Sequence, residues 1–232
     1  MTTQPNAPRL SATVLIVRDG ANIPEVLMVK RHYQIDFAAG ALVFPGGKAN
    51  AEDASADWDP YTDGDFGPVQ QDARIAAVRE AYEESGLLLA RPRAQRGTNQ
   101  PLVGPDMAEK LDAFRSAVDR GEQSFLELIR DNDLVLALDS LVYFGHWITP
   151  DMMPKRFDTH FYVAPAPPDQ IAAHDGRELA VVQESAVALD PCPRLRVGTE
   201  PVLERHVRAP QQMVGADTLD ALPDCRPDLR HR

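Results

Sequence analysis

Glu80, Glu83 and Glu84 are the residues whose types and spacing point most directly to chemistry in this sequence. On a helix they stand at i, i+3 and i+4, so all three carboxylates project from one face. Like charges crowded in this way repel one another. A hard divalent cation, Mg²⁺ or Mn²⁺, removes the conflict, because it takes several oxygen ligands and keeps positions open for water and phosphate oxygens. Ahead of the glutamates, Phe44-Pro45-Gly46-Gly47 supplies backbone able to turn sharply and bring a carbonyl close to the same ion. The plainer account is a solvated acidic helix end in which Arg79 and Glu83 form an ordinary i, i+4 pair. The combination argues against it: paired glycines before the acidic run, a glycine stop at Gly86 and apolar Leu87 directly after.

Such side chains need a helix to carry them and a sheet to seat it. The helix is predicted over residues 69–85, where Ile75, Val78 and Tyr82 recur at i, i+3 and i+7 as an apolar stripe turned away from Glu80 and Glu84. Gly86 fits a left-handed cap. The stretch before the helix, with Trp58-Asp59-Pro60-Tyr61 and Asp63-Gly64-Asp65-Phe66-Gly67-Pro68, reads as turn chemistry rather than helix, so the helix must begin late. Upstream, residues 12–18 and 25–31 are β-branched runs expected to pair as a hairpin around Pro24, and residues 41–44 read as a short buried strand leading into the glycines.

Downstream, residues 91–104 read as a basic, polar linker exposed to solvent. Helices are predicted over 106–119 and 123–130, with 134–138 a candidate third. These form a helical insert at about residues 92–140. Further strands are expected over 141–150, 156–164 and 178–184, then a short helix at 185–189. The division expected is a flexible N-terminus at 1–9, one domain over 10–190 and a proline-punctuated C-terminal tail over 191–232.

The 232 residues suffice for one well-cored domain with embellishments, and the 44% apolar and 25% charged shares are those of an ordinary globular chain. A formal net charge of -11 argues against a nucleic-acid backbone or an anionic membrane as the main partner. It leaves room for a polyphosphate substrate, since a bound divalent cation inverts the local sign. Two cysteines, Cys192 and Cys225, without CxxC spacing fit a reduced cytoplasmic chain, the location expected here. No G-x-S-x-G elbow is present, and Gly46-Gly47-Lys48 lacks the spacing of a P-loop. The six histidines (His32, His146, His160, His174, His206 and His231) show no ligand spacing.

Taken together, Gly47 and Arg79-Glu80-Ala81-Tyr82-Glu83-Glu84-Ser85-Gly86-Leu87 resemble the signature of the Nudix hydrolases, G-x5-E-x7-R-E-U-x-E-E-x-G-U with U aliphatic, Ala81 being a small stand-in at the first U. The resemblance implies an α/β (α+β) fold with a mixed β-sheet sandwiched by helices. It also implies metal-dependent cleavage of a diphosphate bond in a nucleoside diphosphate linked to another moiety. Carried over residue by residue, Glu83 and Glu84 would be metal ligands together with a carbonyl of Gly46 or Gly47. Glu80 would be a ligand or the general base, with Glu178 or Glu184 as downstream alternatives for the base. Arg79 would complete the catalytic set by orienting the carboxylates.

Two departures stand out. Asp53, or Glu52 counted from Gly46, occupies the place of the first glutamate, and 25 residues (54 to 78) separate Asp53 from Arg79 where the family has a far shorter spacer. The split box, the helical insert, His146-Trp147-Ile148-Thr149-Pro150 and Arg156-Phe157-Asp158-Thr159 look like the coenzyme A diphosphatase-type branch. Of that branch's upstream recognition pattern, Leu27, Arg31, Gly40 and Phe44 fall in register, with Arg31 and Phe44 the implied substrate contacts. Asp36 and His32 depart from it. The partner implied is a small-molecule nucleoside diphosphate derivative, with a homodimer left open. The alternative from another class is a Nudix-fold module that binds a nucleotide without cleaving it, although such modules usually lose box glutamates that this chain retains.

Overall fold

The structure is a computed structural model. It describes residues 7–20, 23–31, 42–97, 100–170, 172 and 179–185. The chain divides into two units, Met1–Arg196 and Val197–Arg232, and every described residue lies in the first. The predicted short helix at 185–189 beyond Ser185, and the tail, fall outside the described residues.

The first β-branched run forms β1 (Arg9–Arg18), in which Ala12, Val14 and Ile16 are buried and alternate with half-buried neighbours. A period of two of this kind places one face on the core. As the sequence leads one to expect, β2 (Glu25–Arg31) pairs antiparallel with β1 (Val17 with Val26), and β3 (Leu42–Val43) follows on β2. β4 (Gly46–Lys48) lies beside the other end of β1. β7 (Val142–Ile148), β8 (Phe157–Pro165) and β9 (Leu179–Ser185) complete a seven-stranded sheet. Its order is β3-β2-β1-β8-β7, with β4 on β1 and β9 on β2. Because β1 and β8 run parallel and the other pairs antiparallel, the sheet is mixed.

α1 (Pro68–Ser85) starts where the turn chemistry ends. Proline at its first position costs no hydrogen bond, and Gly86 closes it at φ 74°, its N–H donating to the Tyr82 carbonyl at 2.8 Å. Ile75, Val78 and Tyr82 are fully buried, as the stripe requires, but so are Ala73, Ala76, Ala77 and Ala81. The small residues have a reason. α1 packs on β1 and is covered by α2 (Pro105–Asp119) and α3 (Phe125–Asp131), so it is enclosed on nearly every side. Tyr82 ties these layers together: its hydroxyl donates to the Leu111 carbonyl at 2.6 Å, and its ring stacks on Phe125 at 5.5 Å.

Three expectations are corrected. Residues 134–138 are not a helix: β6 (Leu134–Leu136) pairs with β5 (Ala90–Pro92), and a 3-10 turn follows. A short apolar run carries no period of its own, and here a strand partner decided it. Residues 91–104 are not simply a solvated linker, since Arg91 is buried and ion-paired to Asp63 and Asp139. Within the interruption of the glycine–glutamate motif, Ala56–Tyr61 forms a 3-10 helix whose Trp58 is fully buried against Phe125, their centroids 5.8 Å apart. The interruption is therefore packed core and not slack loop. Among the described residues no helix is long and apolar enough to cross a membrane.

Candidate active site

Arg79 is the hub of the site. Its guanidinium lies 3.0 Å from Asp53, 3.0 Å from Glu80 and 2.9 Å from Glu83, and it also donates to the Lys48 carbonyl at 2.8 Å. All four side chains are largely removed from water, at 6% (Arg79), 0% (Asp53), 14% (Glu80) and 8% (Glu83) exposure. One guanidinium therefore faces three carboxylates, a local formal charge of minus two. Burial pushes Asp53, Glu80 and Glu83 upward against the opposing pull of Arg79, and Glu83 rises to about 7. Burial also opposes the charge on Arg79, but its hydrogen bonds to Asp53 and the fields of Glu80, Asp53 and Glu83 outweigh it and hold the guanidinium firmly protonated.

The glycines meet this cluster by close approach rather than by a sharp turn, which corrects the expected role. Gly46 and Gly47 are strand residues, paired with Thr13 and Ala12. A Cβ on Gly47 would collide with the carboxylate of Glu80, and one on Gly46 would lie 2.5 Å from the Ala12 carbonyl. The Gly46 N–H donates to Glu84 Oε2 at 3.1 Å, whereas the Gly47 carbonyl accepts from the Ser11 hydroxyl at 2.6 Å. Hence Glu80 and Glu84 lie directly against the bare backbone of β4.

The two acidic candidates for the first glutamate have separate tasks. Asp53, held by the Asn50 N–H at 2.8 Å, forks onto Arg79 and acts as its counter-ion from across the interruption. Glu52 instead caps α3: it accepts from the Ser124 hydroxyl and from the backbone N–H groups of Phe125 (3.0 Å) and Leu126 (3.3 Å). The helical insert is thereby fastened to the loop beside the acidic site.

An all-oxygen donor set with surplus negative charge is what Mg²⁺ or Mn²⁺ takes, so Glu80, Glu83 and Glu84 fit a divalent cation. Phe44 is half-buried, one proline ahead of these glycines. Arg31 is seen only through its backbone pairing with Leu179, and Glu184 through its pairing with Val26. Glu178 lies outside the described residues, as do His32, Asp36 and Gly40. A separate cleft at the far end of β1 and β2, lined by Ile16, Leu27, Leu87, Pro167 and Gln170, contains none of Glu80, Glu83 and Glu84. The histidines read as lacking ligand spacing, but among the described residues the β7–β8 pairing brings His146 and His160 together beside Asp158. Their cross-strand partnership left no local mark in the sequence.

Comparison with known proteins agrees with this geometry. Residues 59–188 match the family described as the NUDT19 Nudix domain, a span that includes α1 and its glutamates but begins after Gly47 and Asp53. The acyl-coenzyme A diphosphatase NUDT19 of Xenopus laevis is 28% identical over 192 residues, covering 67% of this chain and 50% of that protein. Its Homo sapiens counterpart is 30% identical over 177 residues, covering 60% and 47%. The chain thus spans about half the length of the curated relatives it matches. A crystal structure of a Nudix hydrolase from Alicyclobacillus acidocaldarius superposes with a TM-score of 0.59 at 28% identity, covering 77% of this chain and 79% of that one. With more than half its length in the matched domain, and with Glu80 and Glu83 paired to a buried Arg79, this chain belongs to the Nudix family.

Proposed function

We propose that this protein hydrolyses a diphosphate bond in a nucleoside diphosphate derivative, with coenzyme A or its acyl derivatives as the substrate class, assisted by Mg²⁺ or Mn²⁺. The single observation that carries the reading is the excess of carboxylate over guanidinium at Arg79, in a buried site that opens on glycine backbone. When bound, the cation would neutralise charge on the diphosphate and make a water more acidic. The chain's own groups do the rest. Arg79 and the Gly46 N–H fix the directions of the carboxylates, so little reorientation is needed when substrate arrives. Glu83 and Glu84 would hold the cation, and Glu80, whose carboxyl is raised by burial against the pull of Arg79, would take the proton of the attacking water. Water adds to one phosphorus, the bridging P–O bond breaks, and two phosphate monoesters leave. The coenzyme A class is supported by the names of the relatives and by the partial upstream pattern around Arg31 and Phe44.

The test is chromatographic detection of both monoester products from coenzyme A, an acyl-coenzyme A, NADH, ADP-ribose and nucleotide sugars, each with Mg²⁺, Mn²⁺ or chelator. Glu84→Gln should lower kcat by about 10²–10³-fold, the scale for losing one preorganised electrostatic group, with the fold retained. Full turnover by that variant, or in chelator, overturns the mechanism. Turnover confined to the other diphosphates removes the coenzyme A assignment and leaves the hydrolase.

A further inference from the structure

We propose that His146, Asp158 and His160 form a second metal site, one for a late first-row divalent cation such as Zn²⁺, built across β7 and β8 and separate from the glutamates. The three ligand atoms lie within 4.8 Å of one another. His146 and His160 are direct cross-strand partners with rings stacked at 4.5 Å. Asp158 precedes His160 by two residues on β8 and therefore shares its face. Its Oδ1 contacts His146 Nε2 and lies 3.6 Å from His160 Nε2. Both imidazoles thus present the same nitrogen to one carboxylate oxygen, which an ordinary histidine–aspartate pair does not require. Closing the three atoms onto a cation with bonds of about 2.0–2.2 Å needs only small side-chain rotations on a paired, rigid backbone.

The surroundings suit a ligand histidine. His160 is 6% exposed, and burial, then the neighbouring His146, lower its proton affinity against the pull of Asp158. Its other nitrogen, Nδ1, meets the Gln70 side-chain amide at 3.3 Å, and that amide also accepts from the Tyr162 hydroxyl at 3.0 Å. Turning the amide over preserves both contacts, since a tyrosine hydroxyl also accepts. Gln70 then accepts from Nδ1–H and leaves the Nε2 lone pair directed at the cation. An outer partner that sets the tautomer in this way is the usual companion of a metal-bound histidine. His146 and Asp158 are 37% and 30% exposed, which gives an ion a path in and leaves room for water as a further ligand. Two imidazoles and one carboxylate favour zinc, cobalt or nickel over the magnesium suited to the all-oxygen site. Ala12 of β1 pairs with Gly47 on one side and His160 on the other, so the backbones of those two residues stand about 10 Å apart.

The experiment uses the full chain stripped of metal, dialysed against Zn²⁺ in excess Mg²⁺, with bound zinc measured by elemental analysis and Co²⁺ substitution followed by visible absorption. One equivalent of zinc is expected, with affinity falling more than tenfold in His146→Gln and in Asp158→Asn and unchanged in Glu84→Gln. The cobalt band should disappear in the first two variants only. His146 is partly exposed, so His146→Gln should stay folded by circular dichroism, and Asp158→Asn gives a second reading. Absence of stoichiometric zinc, zinc kept by both β7–β8 variants, or zinc lost in Glu84→Gln would each overturn the site. None of these results depends on turnover.

Discussion

Arg79 and Arg91 are each buried against more than one carboxylate, and their surroundings differ in one respect. Around Arg91, a second cation enters: Arg96 donates to Asp63 at 3.0 Å while Arg91 holds Asp63 at 3.0 Å and Asp139 at 2.5 Å. Two guanidiniums meet two carboxylates, and the network closes on itself, fastening β5 to the loop before α1 and to the turn after β6. Around Arg79 one guanidinium meets three carboxylates, and nothing in the described chain supplies the missing charge. Balanced buried charge reads as architecture, whereas unbalanced buried charge reads as a site awaiting a cation.

The most severe test removes each arginine in turn. Arg79→Leu and Arg91→Leu should each cost about 3–5 kcal/mol, because a buried carboxylate is left without its partner. Urea melts with and without Mg²⁺ should then part them: metal recovers a large share of the loss in Arg79→Leu and none in Arg91→Leu. An equal response would break the distinction between the two networks.

A smaller effect separates the two glycines that carry the box. In Gly46→Ala the new methyl meets the backbone of Ala12 and Thr13, which cannot give, and about 1–3 kcal/mol of stability should be lost. In Gly47→Ala it meets only the carboxylate end of Glu80, a flexible neighbour that can swing aside. Melting should hardly change there, while turnover falls because Glu80 has moved. Wild-type turnover in Gly47→Ala would show that Glu80 is not needed where it stands.

The most gradual effect is electrostatic and appears without metal. Glu83 sits at about 7 in the fold against 4.5 for a free side chain, so between those values the native state holds the proton more tightly than the unfolded chain. Measured against Glu83→Gln, the wild type should keep its full relative stability below about pH 4.5. It should lose that advantage as pH rises through about 7, at no more than about 1.4 kcal/mol per pH unit. A difference that grows with pH would have the opposite sign and contradict the picture of surplus buried carboxylate.

Which features could be read along the chain follows from the distance over which each is set. The span of α1, its apolar stripe and the Gly86 cap were legible because they depend on neighbours within one or two helical turns. So were the strands of the main sheet, whose β-branched runs alternate in the expected way. Residues 134–138 were misread because five apolar residues fit either element until β5 is beside them. Arg91 reads along the chain as a solvated linker residue because its partners, Asp63 and Asp139, are 28 and 48 positions away.

By itself the sequence determined that three carboxylates share a helix face beside a glycine pair, since i, i+3 and i+4 spacing is a property of the helix alone. It also carried the family resemblance, because the motif is a local string. Only the tertiary structure decided that Asp53 serves Arg79 while Glu52 caps α3, and that the glycines are bare to admit carboxylates rather than to turn the chain. It alone set His146 against His160. These outcomes depend on which distant strands and helices become neighbours, and proximity across the fold leaves no period in the sequence.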